Sequence, residues 1–465
     1  MLSARVCALL ACTLTPSLAA TGAGPARLDL TAHWVGYVSL ALFAAAYLLV
    51  VAEEFTHLRK SKPVTLCAGA IWLLIGLVYA LEMPHSGAVA HAARHVLVEY
   101  VELFLFLLVA MTYVNVMTER NVFGALRSWL VRAGLSYRTL FLATGVISFF
   151  LSAVIDNLTT ALVMSAIVLA VGVGNSRFIA LACINIVVAA NAGGAWSAFG
   201  DITSLMVWQA GTLDFFQFFE LLPASLVNWL VPAAAMYLAV PAGAPAASST
   251  NAEPIQRGGR RVILLFAATL CTSVSFQHFA QLPAALGMMT GLAYLQFFGY
   301  YLQRTGSVTQ NGANAEAGDV VPFDVFRFVA RAEWDTLLFF YGVILCVGGL
   351  GFIGYLAIAS QFLYVEMGAT FANVVVGIAS AVVDNIPIMA AVIQMEPDMP
   401  DAQWLLVTLT AGVGGSMLSI GSAAGVALMG QARGHYTFFG HLRWTPAIAL
   451  GYAASIATHL WLSGL

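Results

Sequence analysis

An all-α polytopic membrane protein is the fold class this sequence predicts, and three observations carry that expectation. Of its 465 residues 61% are apolar and only 9% charged, where a soluble globular domain carries roughly 25% charged residues. Apolar segments of about 20 residues, the length that crosses a bilayer's hydrocarbon core, recur along the chain. Polar and glycine-rich interruptions inside several of those segments come back, in the same order, in the second half. With 19 Lys+Arg against 22 Asp+Glu and a net charge of −3, the chain has no basic face for nucleic acid.

At the N-terminus Arg5 precedes an apolar stretch from Val6 to Leu14, and Ser17-Leu18-Ala19 stands just before Ala20. A positive n-region, a short h-region and a small-x-small site predict a signal peptide over residues 1–20, whose removal leaves the mature N-terminus outside the cytoplasm. Cys7 and Cys12 leave with it. Cys67, Cys183, Cys271 and Cys346 are scattered in apolar segments without CxxC spacing and read as buried small hydrophobes.

Simple spans are expected at about 31–52, 64–82, 95–117, 221–241, 262–280, 284–302, 334–354 and 444–463. Segments 178–211 and 402–430 are broken by glycine clusters, and 139–172 and 361–396 are apolar on both sides of a central polar patch. The last two are too long for one span, and neither patch resembles a solvated loop. They are expected to be re-entrant hairpins. Positive charge agrees with this outline: Arg59, Lys60 and Lys62, then Arg120, Arg127, Arg132 and Arg138, fall on the cytoplasmic side, and no Lys or Arg occurs between Arg331 and Arg433. The stretches 242–259 and 303–320 read as flexible connections, being rich in turn and small polar residues.

The halves match three times. Ser152-Ala-Val-Ile-Asp156-Asn157 recurs as Ser380-Ala-Val-Val-Asp384-Asn385, Glu99-Tyr100 is echoed by Glu333-Trp334, and Gly193-Gly194 through Gly200 by Gly414-Gly415 through Gly421. The first repeat starts outside and the second inside, so the fold is expected to be an inverted-repeat secondary transporter with two re-entrant hairpins and two broken helices meeting at the midplane. The organisation follows: signal peptide 1–20, N-terminal scaffold spans 21–94, first repeat 95–241, connecting spans and loops 242–332, second repeat 333–465.

The segments Ser152–Thr160, Asn191–Thr203 and Ser380–Pro387 resemble those of the NhaD-type sodium/proton antiporters, members of the ion transporter superfamily. The likeness covers nearly the whole chain from about residue 30. It implies a homodimer in a bacterial inner membrane and an elevator-like moving part. It also implies exchange of Na+ or Li+ for H+ without a cofactor. Ser204 stands where the family leads one to expect a second Thr beside Thr203.

The residues themselves point the same way. Sodium is a hard cation that takes oxygen ligands, and intramembrane carboxylates are costly enough to mark function. Asp156 and Asp384 sit at the hairpin tips, each followed by an Asn, and Asp201 closes the first break with Thr203 and Ser204 behind it. Ser419 and Ser422 occupy the matching places in the second break. Asn157 and Asn385 are ligand candidates that could equally cap the outgoing arms; Ser152 and Ser380 could back-bond to their own helix; Asn191 could be structural. Desolvation penalises the charged form of a carboxyl, so a sodium ion and a proton compete for one site. Glu102, Asp335, Thr336 and His95 are candidates for a proton path or pH sensing, or for ordinary interfacial positions. A dicarboxylate carrier of the same superfamily is the nearest alternative, disfavoured by two buried acids at the tips. An intramembrane aspartic protease is more remote, since Ala198 replaces the first glycine of a Gly-x-Gly-Asp element.

Overall fold

A computed structural model of the chain describes residues 28–245, 254–305 and 324–465. The expected signal peptide and the central parts of both polar connections lie outside the described residues. Within them the regular structure is helical throughout. The helices used below are α1 (Trp34–Val51), α2 (Ser61–Glu82), α3 (Ala88–Glu119), α4 (Val122–Arg132), α5 (Tyr137–Ile155), α6 (Asn157–Val171), α7 (Ser176–Ala195), α8 (Ile202–Gln209) and α9 (Leu222–Ala239). They continue with α10 (Gly259–Ala280), α11 (Ala284–Thr305), α12 (Trp334–Ile353), α13 (Ala369–Ala379), α14 (Asn385–Met395), α15 (Asp401–Gly414), α16 (Ala423–Gln431) and α17 (Thr445–Ser463).

Eight described helices are long and apolar enough to cross a bilayer: α1, α2, α3, α5, α7, α9 together with the short turn before it, α10 and α12. Over the expected spans 284–302 and 444–463 stand α11 and α17, which have the length; their Tyr, Gln, Thr and His residues lower the hydropathy. Two details differ from expectation. The third span begins at Ala88 rather than near 95, because the Ala-rich stretch Ala88–Arg94 continues the helix. Arg127 and Arg132 lie on α4, a short helix that leaves Trp129 exposed and that was not among the expected segments. Of the cysteines, Cys67, Cys183 and Cys346 are buried as expected, whereas Cys271 is on an outward face of α10.

Each long polar-centred segment folds as a hairpin, and neighbouring contacts give its direction. Tyr137 packs on Phe178 with ring centroids 4.7 Å apart; Asn185 donates to the Phe141 carbonyl at 2.8 Å; Ser152 donates to the Ala190 carbonyl at 2.6 Å. Partners advance together along both chains, so α5 and α7 run parallel and α6 must return between them. Both ends of the α5–α6 pair therefore lie beside Phe178, with Asp156 at the tip. In the second half Asn373 donates to the Gln403 carbonyl at 3.0 Å and Ser380 to the Ala411 carbonyl at 2.8 Å. There α13 and α15 run parallel, α14 returns, and Asp384 is at the tip.

The repeat is visible in backbone packing as well as in letters. Gly193 lies against the Phe149 carbonyl and Gly414 against the Gly377 carbonyl, and Phe149 and Gly377 stand at matching places before Ser152 and Ser380. Only a residue without a side chain admits such an approach. Both hairpins and both broken helices pack around α7 and α15, with α9 and α17 beside them. A second group, α1, α2, α3, α10, α11 and α12, packs on itself, tied by hydrogen bonds from Trp72 to the Leu345 carbonyl (2.9 Å) and Tyr100 to the Leu337 carbonyl (3.2 Å).

Gly193→Ala and Gly414→Ala are expected to cost about 1–3 kcal/mol each by overpacking, seen as a lowered thermal-unfolding midpoint of the detergent-solubilised protein. Gly69→Ala and Gly76→Ala, which meet open space, are expected to leave the midpoint unchanged or slightly raised.

Candidate functional site

Helix geometry puts the candidate residues at chain breaks, where backbone groups need partners. Asp156 is the cap of α6, with φ +116°, a conformation rare outside glycine. Both carboxylate oxygens are engaged: Oδ1 accepts from the Thr159 amide at 2.7 Å and Oδ2 from the Thr159 hydroxyl at 2.8 Å. Asp384 caps α14 in the matching place but its side chain makes no cap bond. The residue corresponding to Thr159 is Pro387, which has neither an amide hydrogen nor a hydroxyl. Asp384 Oδ1 is buried without a hydrogen-bond partner, and its own amide donates to the Tyr47 hydroxyl at 3.0 Å.

The two tip asparagines reach the broken helices. Asn157 donates to Asn191 Oδ1 at 3.1 Å, and Asn191 in turn donates to the hydroxyls of Ser416 (2.8 Å) and Ser422 (3.0 Å), joining the two halves. Asn385 donates to Asp201 Oδ2 at 3.0 Å. All of these are buried, Asp201 to 2% exposure. The halves differ in what they contribute. Where the first supplies Asn191 and Asp201, the second has Gly412 and Ser422. A side chain at Gly412 would come within 3.3 Å of Asp201 Oδ2, so glycine there leaves space beside the carboxylate. Thr203 Oγ1 and Ser419 Oγ are also buried without partners. Ser204 instead donates to the Ser197 and Asp201 carbonyls, both at 2.8 Å, and closes the first break. Ser152 and Ser380 tie each hairpin to its neighbouring helix by the bonds given above.

One cavity takes in Asp156, Asn157, Asp201 and Asn385, together with Thr336, Glu333 and Lys60. The last two were not among the expected site residues. Asp335 is turned away from this cavity, its Oδ1 accepting from the Ser61 hydroxyl. Glu102 lines a separate cavity with Glu99, Gln209 and Gln394, which widens to include His95 and Glu396. His95 is paired with Glu99 at 3.2 Å. The short helix α8 separates the two cavities, with Asp201 at its start and Gln209 at its end. Sequence reasoning also missed His441, buried between the Tyr436 hydroxyl (2.8 Å) and the Ser416 carbonyl (2.9 Å), where it supports one partner of Asn191. A lone histidine outside any repeat gave no signal of this.

Comparison with known proteins places the chain. Residues 46–412 match the family described as citrate transporter. The Na(+)/H(+) antiporter NhaD of Alkalimonas amylolytica is 56% identical over 461 residues, covering 97% of this chain and 94% of the relative. That of Vibrio cholerae serotype O1 is 55% identical, covering 98% of each. Sodium/proton antiporter 1 of Arabidopsis thaliana is 31% identical, covering 91% of this chain and 72% of the relative. The chain belongs to this family, within the group of the NhaD antiporters, and is a transporter rather than an enzyme.

Asn191→Ala removes three hydrogen bonds and strands buried hydroxyls of the other half. About 1–3 kcal/mol is expected for each buried group left unsatisfied, measured as a lowered unfolding midpoint; the loss is expected to exceed that of Asn175→Ala, which removes a single helix-cap bond near the end of the hairpin.

Proposed function

We propose that the chain exchanges Na+ or Li+ for H+ at a site made by the hairpin tips and the first broken helix. The observation that carries this is the set of oxygens gathered around Asn385: the Asp201 carboxylate that accepts from it, the Asp384 carboxylate with its unpartnered Oδ1, and the buried Thr203 hydroxyl. Two acids brought together through Asn385, which bonds one and follows the other in the chain, call for a positive occupant, and their oxygens are suited to a hard cation. Asp156 faces the same cavity from the other tip, and its two bonds from Thr159 make it the more fully satisfied of the pair.

Exchange follows from exclusive occupancy. A carboxylate that holds a sodium ion cannot also be protonated, and an unoccupied charged site is expensive at membrane depth. The loaded states, with Na+ or with H+, are then the ones that cross between the two sides. The division into two packed groups supports an elevator-like reading. In it the hairpins and broken helices move together against the group of α1, α2, α3 and α10–α12, which also supplies the surface of a homodimer. The hairpins re-enter the membrane rather than cross it in this reading, since both ends of the first lie beside Phe178. Glu102 and His95 belong to the opposite vestibule, where they serve as a proton path or tune activity with pH. Placement in a bacterial inner membrane and cleavage of residues 1–20 complete the proposal.

The family's description as citrate transporter raises an anion as the alternative cargo. Among the described residues Asp156, Asp201 and Glu333 line the cavity against a single Lys60, and that excess of negative charge repels a carboxylate substrate.

Dequenching of a pH-sensitive dye in everted vesicles from an antiporter-free host tests this. Na+ and Li+ are expected to give a response that Asp156→Asn and Asp384→Asn abolish while both proteins keep a monodisperse elution profile. A response to succinate or citrate in place of the cations would overturn the reading.

A further inference from the structure

The positive charges that set topology near residue 60 do not all face water. Arg59 and Lys62 are exposed, whereas Lys60 between them is partly buried. Its Nζ lies 4.5 Å from the centroid of the Phe339 ring, which is fully buried on α12. From there it lines the cavity of Asp156, Asp201 and Asn385, and among the described residues it is the only basic one that does so. Asn385 and Ile386, the two residues directly after Asp384, line the same cavity, as do Glu333 and Asp156. Asp384 is the tip acid that Pro387 deprives of cap donors. It lacks the amide and hydroxyl that Thr159 gives Asp156, and its Oδ1 has no hydrogen-bond partner.

We propose that Lys60 is an affinity-setting residue of the cation site, a tethered ammonium at its mouth that offsets the Asp384 carboxylate between transport events and opposes the sodium ion that enters. This rests on the antiporter reading above and deepens it. A fixed positive charge beside the site raises the energy of the bound ion, weakening binding and speeding release. Glu333, on the same cavity wall, does the opposite. Lys60 stands at the start of α2, in the group of helices opposite the hairpins, so its distance from Asp384 depends on how the two groups are placed. The ion is therefore held less tightly where Asp384 comes close to Lys60.

The test is steady-state dye dequenching with the full-length protein, titrating Na+ for wild type, Lys60→Gln, Lys60→Arg and Glu333→Gln. Lys60→Gln is expected to lower the half-maximal Na+ concentration on the order of tenfold, as removal of a unit charge roughly 12 Å away at an effective dielectric near 20 implies, and to slow the maximal rate. Lys60→Arg restores the wild-type concentration, and Glu333→Gln raises it. Were Lys60 only an anchor of α2 on Phe339, Lys60→Gln would lower the unfolding midpoint with the Na+ concentration unchanged, and that result overturns the proposal. If Lys60→Gln does not fold, Glu333→Gln decides: a raised Na+ concentration supports the electrostatic account and an unchanged one overturns it. Wild-type protein silent towards Na+ overturns the antiporter reading itself, a result distinct from either.

Discussion

Ionised carboxylates at membrane depth must be compensated, and the arrangement of this protein follows from how each of its three acids meets that demand. Asp156 is satisfied locally, by the amide and hydroxyl of Thr159. Asp201 accepts from Asn385 of the other half. Asp384 keeps a buried oxygen with no donor. The energy of burying a charge is large compared with a protein's net stability, so the least compensated acid is where an exchangeable cation gains most.

The inverted repeat explains how such an arrangement is built and why it is unequal. Backbone contacts are duplicated almost residue for residue: serine hydroxyls on the carbonyls of Ala190 and Ala411, glycines against the carbonyls of Phe149 and Gly377. These contacts fix two hairpins against two broken helices. Side chains that face the cavity are not duplicated. Thr159 answers to Pro387, Asn191 to Gly412, and Asp201 to Ser422. Symmetry in the frame thus carries asymmetry in the charge, and the acids concentrate around Asn385 rather than dividing equally between the tips.

Much of this was legible because a polar residue inside an apolar run is conspicuous. The tip acids, their asparagines and the glycine breaks stand at the ends of helices. Their grouping was less legible, since the sequence offers Asp156 and Asp384 as equivalents. The difference lies in Pro387, a residue that reads as an ordinary helix-start proline. Lys60 was hidden among its neighbours: it reads with Arg59 and Lys62 as part of the positive-inside pattern, and nothing in one sequence shows that the middle one turns inward. Asp335, next in sequence to the cavity residue Thr336, belongs elsewhere because α12 presents only part of its circumference to the cavity; Glu102 lies one turn before Phe106 along α3 and so falls in the second cavity rather than the first. The early start of α3 at Ala88 and the helix α4 went unseen because neither is apolar enough to stand out from a connection.

Proton release by the purified protein on adding Na+ tests the competition at one carboxylate most directly. In weakly buffered detergent solution at fixed starting pH, with a soluble pH dye as the reporter, Na+ is expected to displace protons saturably from wild type, Li+ to do the same, and K+ to displace none. Asp384→Asn should release none although it remains folded. Saturable Na+ binding without proton release, or undiminished release from Asp384→Asn, would contradict the account.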